Sequence, residues 1–161
     1  MKKFITVKLW GLCLVIGLLS WSPAALWAQT TPGSAERAKG EKAFAAKNYA
    51  QAMIWCRKSG NLGNAVAQRE VGYLYERGLG TPTNYPKAMK WYQKAADQGD
   101  ANAEFNLGSM YDSAEGVPKN FDQAVFWYKK AAALGNQPAQ KRLDTIQFLL
   151  NSDNWKGAVA K

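Results

Sequence analysis

The chemistry open to this chain is limited first by a residue it lacks: none of its 161 residues is histidine. Histidine is the commonest general base near neutral pH and the commonest metal ligand, so the usual triads and most zinc sites are unavailable. Two cysteines are present, Cys13 and Cys56. A thiol nucleophile needs a partner that lowers its pKa, and no imidazole can serve. The acidic residues are scattered, with no pair at acid–base spacing. No Gly-rich phosphate loop follows a strand, no strands are evident, and the glycine-containing stretches at Gly78 and Gly116 read as turns. The expectation is binding without catalysis, with no catalytic residue, metal or cofactor.

The residues that must position any binding surface begin after an N-terminal segment of different character. Lys2, Lys3 and Lys8 precede an apolar run from Leu9 to Trp21, then Pro23 and the small-residue stretch ending at Ala28. This is the layout of a secretory signal peptide, read as residues 1–28. A spanning helix needs about 20 apolar residues. Only 13 are available before Pro23, so no stable membrane insertion is expected once the segment is cleaved. Cys13 lies in mid-run after Trp10-Gly11-Leu12, which does not suit lipid attachment. Export is expected, with the periplasm or the exterior as destination. The remaining chain keeps Cys56 alone and so has no internal disulfide. Without the three early lysines its net charge falls from +9 to +6, spread evenly. Such a charge suits solubility and a monomer, and it allows a preference for acidic partners.

Internal self-similarity is the strongest signal. Segments beginning at Asn48, Asn84 and Asn120 align at a spacing of 36 residues. Ala52, Ala88 and Ala124 coincide, as do Trp55, Trp91 and Trp127; Lys58, Lys94 and Lys130; Gly63, Gly99 and Gly135; and Ala67, Ala103 and Ala139. Tyr85, Ala88, Met89, Trp91, Tyr92, Ala95 and Ala96 fall at helical spacing, with Asn84 as N-cap and Gly99 as terminator. A second helix is expected from about Ala101 to Tyr111, followed by a loop containing Gly116 and Pro118. The alanines and Gly108 let helices approach closely, and Trp91 and Tyr92 fill the gaps that remain. Each buried aromatic is worth roughly 4–6 kcal/mol gross, which a stack of hairpins gains and a single hairpin cannot. Nucleic-acid binding is not expected, because the aromatics recur at core positions rather than as stacking platforms.

The run Ala103-Glu104-Phe105-Asn106-Leu107-Gly108-Ser109-Met110-Tyr111, with Trp91-Tyr92-Gln93-Lys94-Ala95-Ala96-Asp97-Gln98-Gly99 and Trp127-Tyr128-Lys129-Lys130-Ala131-Ala132-Ala133-Leu134-Gly135, resembles the Sel-one-like repeat (SLR). This family is related to the tetratricopeptide repeat. The resemblance implies an all-α fold, an α-α superhelix built as a short solenoid of antiparallel helix pairs. The units are expected at residues 65–100 and 101–136. Before them, residues 33–64 read as a tetratricopeptide-like pair with a shorter loop. After them come a capping helix within 137–150, its helical core from Ala139, and a flexible tail, 151–161. Ala114 stands where a loop glycine is usual, and Trp55-Cys56 replaces Trp-Tyr. The family's register turns Cys56 towards the core, as an inert thiol.

The same register lines the concave side with the first helix of each unit. One column holds Arg37, Arg69, Phe105 and Lys141; the next holds Glu41, Tyr73, Ser109 and Thr145; a third holds Ala38, Glu70, Asn106 and Arg142. Arg37, Glu41, Arg69, Tyr73, Asn102, Phe105, Asn106, Ser109 and Lys141 are therefore the expected partner-binding set. Arg69 and Asn106 would act as hydrogen-bonding anchors, Tyr73 and Phe105 as apolar contacts, for an acidic or carboxylate-ended peptide. The resemblance points to a protein-interaction scaffold or adaptor. Its alternatives are a regulator or immunity-type antagonist of another protein, and an envelope hydrolase or binder of cell-wall fragments or β-lactams. Exported relatives proposed for β-lactam chemistry resemble a cysteine-paired subgroup, and this chain lacks those pairs.

Overall fold

Asparagine and aspartate side chains set where the helices begin. Asn48, Asn64, Asn84, Asp100, Asn120 and Asn136 each accept the backbone N–H three residues on, at 2.9–3.2 Å. Each satisfies a donor that the first helical turn leaves open, worth about 1 kcal/mol. The computed structural model describes residues 31–151, which form seven helices and no strand. They are α1 (Ser34–Ala45), α2 (Tyr49–Asn61), α3 (Ala65–Arg77), α4 (Tyr85–Ala96), α5 (Ala101–Ser113), α6 (Phe121–Ala133) and α7 (Gln137–Asn151). The signal-peptide reading, and that of a flexible tail beyond residue 151, lie outside the described residues. Each helix packs on the one before it in the chain, giving the hairpins α1/α2, α3/α4 and α5/α6, with α7 against α6. This is an all-α repeat solenoid, as the repeat pattern implies.

Two helix limits differ from the sequence reading. Helix α5 continues past Tyr111 to Ser113, where Ala114 closes it in the left-handed conformation (φ 59°), its N–H donating to the Met110 carbonyl. Helix α7 starts at Gln137 rather than Ala139, because the Asn136 side chain caps the Ala139 N–H.

The hairpins close over a small residue. A Cβ on Gly72 of α3 would lie 2.6 Å from the Tyr92 ring of α4; on Gly108 of α5 it would lie 2.7 Å from the Tyr128 ring of α6. Only glycine lets these rings lie flat against the facing helix. Both tyrosines are essentially buried, beside fully buried Ala52, Ala67, Ala88, Ala95, Ala103, Ala124, Ala131 and Ala139. Their hydroxyls donate back to the first helix, Tyr92 to Glu76 at 2.6 Å and Tyr128 to Asp112 at 3.3 Å. Burial raises the pKa of both phenols, that of Tyr128 to about 12.

The first hairpin solves the same problem with exchanged parts. Gly40 faces Cys56, which stands in the tyrosine's place. Phe44, one turn beyond Gly40, stands where Glu76 and Asp112 stand in the later units. The ring missing from α2 is thus supplied by α1, and Phe44 packs on Tyr49 and Tyr73 at 5.3 and 6.1 Å between centroids. The repeated tryptophans are less enclosed than the sequence reading has them. Trp127 is buried, whereas Trp55 and Trp91 are half-buried. The repeated lysines cover their outer faces: the ammonium groups of Lys58, Lys94 and Lys130 lie 5.6, 4.4 and 4.7 Å from the ring centres. That is why both columns share the 36-residue spacing.

One polar position is solved in one repeat and left open in the next. Gln68 is buried, donates to the Gly60 carbonyl at 2.9 Å and accepts from Gln98 at 2.7 Å. Its counterpart Glu104 is also buried, with Lys130 3.3 Å from one oxygen and no hydrogen-bond partner for Oε2. The counterpart of Gln98 is Leu134, which cannot donate and is half exposed.

Two outcomes follow. Ala114→Gly removes a left-handed alanine, which costs about 1–2 kcal/mol, and should raise the melting temperature despite glycine's greater unfolded-state freedom; a lower value would contradict the left-handed cap. Leu134→Gln supplies Glu104 Oε2 with the donor that Gln68 already has, and should stabilise by about 0.5–1 kcal/mol in urea titration. Loss of stability would mean that Oε2 is not lacking a donor.

Candidate functional site

The first helices α1, α3, α5 and α7 carry every residue of the expected binding set. The structure gathers some of them into two hollows. The larger, about 400 Å³, lies between α5 and α7 over Tyr128 of α6. Phe105, Ser109 and Lys141 line it, together with Asp112, Ser113, Tyr128, Pro138, Arg142 and Thr145. The smaller, about 300 Å³, is lined by Phe44 of α1 and by Arg69, Glu70 and Tyr73 of α3. Arg37, Glu41, Asn102 and Asn106 line neither.

Local bonding decides what each group has left to offer. Arg37 pairs with Glu41 one turn along α1. The Arg69 Nε donates to Asp100 at 3.1 Å, so the cap of α5 already engages part of the guanidinium. Arg69 therefore ties α3 to α5 and offers a ligand only its remaining nitrogens. The Asn102 side-chain Oδ1 accepts from the Asn136 side-chain amide at 2.9 Å, which joins α5 to the cap of α7. Tyr73 is 37% exposed, with Arg77 5.8 Å from its ring centre. Phe105 rests on Tyr128 at 5.6 Å between centroids, so its ring forms an apolar floor. Asn106 is half-buried on the same helix.

In the larger hollow Arg142 donates through Nε to Asp112 at 2.8 Å, and Asp112 also accepts from Tyr128. The hydrogen bond to Asp112 holds the guanidinium more firmly charged. Lys141 adds a second cation, beside the hydroxyls of Ser109 and Thr145. This wall suits an acidic or hydroxyl-bearing group above an aromatic floor. Glu70, which lines the smaller hollow, accepts from the buried Cys56 thiol at 3.3 Å. Burial, then the Glu70 charge, pushes the thiol up to about 12. Burial raises the Glu70 carboxyl as well. A nucleophilic cysteine needs the opposite shift, so Cys56 is held as a thiol. Among the described residues no group of acidic residues and cysteine is arranged to hold a metal ion, and no helix is long and apolar enough to cross a membrane.

Sequence reasoning did not single out Phe44, Tyr128 or Pro138. The signal for Phe44 was present: with the shorter first loop allowed for, it aligns with Glu76 and Asp112. An aromatic at a position otherwise acidic marks a local exchange.

The chain matches the Sel1 repeat over residues 38–64, 65–100 and 101–136. Three solved structures are similar to it. One is a Sel1 repeat protein from Oxalobacter formigenes, 43% identical, with 64% of this chain and 42% of that one covered and a TM-score of 0.62. Another is a protective antigen of uropathogenic Escherichia coli that displays an SLR fold, at 31% identity, 72% and 26% coverage and a TM-score of 0.66. The third is cysteine-rich protein B of Helicobacter pylori, at 30% identity, 56% and 68% coverage and a TM-score of 0.54. The chain thus spans less than half the length of the first two. No curated protein matches it. Repeats of this kind generally mediate protein–protein interactions and serve as non-catalytic scaffolds. On three successive matches across residues 38–136, the chain belongs to the Sel1 repeat family.

Proposed function

We propose that this chain is an exported, monomeric adaptor of the bacterial envelope, acting in the periplasm or outside the cell, that holds an extended segment of a partner protein without catalysis. The segment is acidic or carboxylate-ended and lies along the first-helix face. One observation supports the reading above others: the two hollows on that face each set an aromatic surface beside a cation, Phe105 and Tyr128 with Lys141, and Tyr73 with Arg69. An apolar side chain followed by a carboxylate matches that pairing. The first anchor is assigned to Lys141 rather than to Arg69, since Arg69 is already bonded to Asp100. The basic balance of the chain, +9 over its length and +6 without Lys2, Lys3 and Lys8, favours encounter with an acidic partner.

The test is quantitative capture of envelope proteins by the chain and by its Phe105→Ala/Lys141→Glu variant. Loss of a floor contact and a charge reversal should weaken capture by tenfold or more, about 1.4 kcal/mol or beyond, while the melting curve stays cooperative. Equal capture by a folded variant would remove the first-helix face from the account. Stabilisation by a β-lactam or a cell-wall fragment, with no protein captured, would favour a small-molecule binder instead.

A further inference from the structure

Positive charge that is evenly spread along the sequence is one-sided in the fold. The first helices α1, α3, α5 and α7 carry seven basic and seven acidic residues, and so balance. The second helices hold Arg57 and Lys58 on α2, Lys87, Lys90 and Lys94 on α4, and Lys129 and Lys130 on α6, against Asp122 alone. Their surplus equals the whole +6 that remains without Lys2, Lys3 and Lys8. Net charge draws in an anion from any direction, but at contact the unbalanced cations stand on the second helices.

Large apolar side chains are set among these cations. Ile54 of α2 and Phe126 of α6 occupy equivalent positions, as do Leu62 and Leu134, which close those helices. Each of the four is about half exposed. The outer units thus carry the same stripe at i, i+4 and i+8: Ile54, Lys58 and Leu62 in one, Phe126, Lys130 and Leu134 in the other. The middle unit has Lys90, Lys94 and Gln98 there. Single exposed apolar residues are ordinary, but the same interleaving with cations in two units is not. Lys58 and Lys130 are partly engaged, by Glu36 at 3.6 Å and Glu104 at 3.3 Å. Arg57, Lys90 and Lys129 are exposed and form no ion pair among the described residues.

We propose that the second-helix face docks on an anionic lipid surface, with Ile54, Leu62, Phe126 and Leu134 entering the headgroup layer and the basic side chains meeting lipid phosphates. Long basic side chains suit this place, since their stems lie along apolar surface while their heads stay with the phosphates. Each cation held near an anionic leaflet strengthens binding about fivefold. A soluble polyanion would use the cations but leave the four apolar side chains in water, so a lipid surface matches the face better. The contact is peripheral, because no described helix is long and apolar enough to cross a membrane. Docking in this way leaves the first-helix face free, and the assignment does not depend on what that face holds.

Lysine acetylation by a water-soluble reagent, read residue by residue in a mass spectrometer, tests this on the full chain and separates the face from residues 1–28. Vesicles of phosphatidylglycerol and phosphatidylcholine should protect Lys87, Lys90, Lys94 and Lys129 several-fold. Vesicles of phosphatidylcholine alone should not, and Lys42 and Lys141 on the first helices should stay reactive with either. The variant Arg57→Glu/Lys90→Glu/Lys129→Glu should raise the lipid concentration for half-protection of Lys87 and Lys94 tenfold or more, with circular dichroism unchanged. Ile54→Ser/Phe126→Ser should raise it several-fold without altering any protection by polyglutamate. If the triple reversal does not fold, the footprint of the unmodified chain and the Ile54→Ser/Phe126→Ser variant decide. Protection confined to Lys2, Lys3 and Lys8, or centred on Lys42 and Lys141, would overturn the proposal. So would lipid protection indifferent to the apolar variant and matched by polyglutamate, which would assign the face to acidic polymers.

Discussion

The contact between a glycine of one helix and a tyrosine ring of the next fixes the distance at which these hairpins close. Gly72 under Tyr92, and Gly108 under Tyr128, leave no room for even a methyl group. With the ring seated, its hydroxyl reaches the carboxylate one turn further along the first helix, Glu76 or Asp112. The alanine columns then meet at full burial, and the whole apolar gain of the stack depends on that spacing. The first hairpin keeps the glycine and exchanges the ring for Cys56 and Phe44, so the close approach, rather than the tyrosine itself, is what all three units share.

The same contact shapes the surface. Tyr128 is the inner wall of the larger hollow as well as the cement of its hairpin, and Asp112 bonds it on one side and Arg142 of the next unit on the other. The equivalent place in the first unit holds Cys56 bonded to Glu70, an unreactive thiol beside a carboxylate that lines the smaller hollow. Binding groups are thus carried by helices whose relative placement is fixed beneath them. A rigid floor of this kind lowers the ordering cost of holding an extended segment.

Much of this architecture is legible in the sequence because the repeat writes it more than once. The three tryptophans, the alanine columns and the asparagine caps at 36-residue spacing leave little room for another fold class. What the pattern hides is what differs between copies. Arg69 occupies an outward-facing position, yet Asp100, 31 residues away, engages it; nothing in a helical periodicity announces an ion pair across two helices. Periodicity also suggested deep burial for all three tryptophans. The lysine three residues after each was visible but unread, and it explains how Trp55 and Trp91 stay half-covered at low cost. The helix limits at Ser113 and Gln137 moved for a similar reason, since caps depend on backbone geometry that composition does not reveal.

The packing claim has a direct measurement in which two physical effects carry opposite signs. Glycine inside a helix costs about 0.5–1 kcal/mol relative to alanine, so helix propensity alone makes Gly72→Ala stabilising. The close approach to Tyr92 makes it destabilising, by about 1–3 kcal/mol as the ring is forced away. Urea unfolding of the chain and of Gly72→Ala decides between them. A lower midpoint with the same slope is the expected result; an equal or higher midpoint would contradict the account of how the hairpins close.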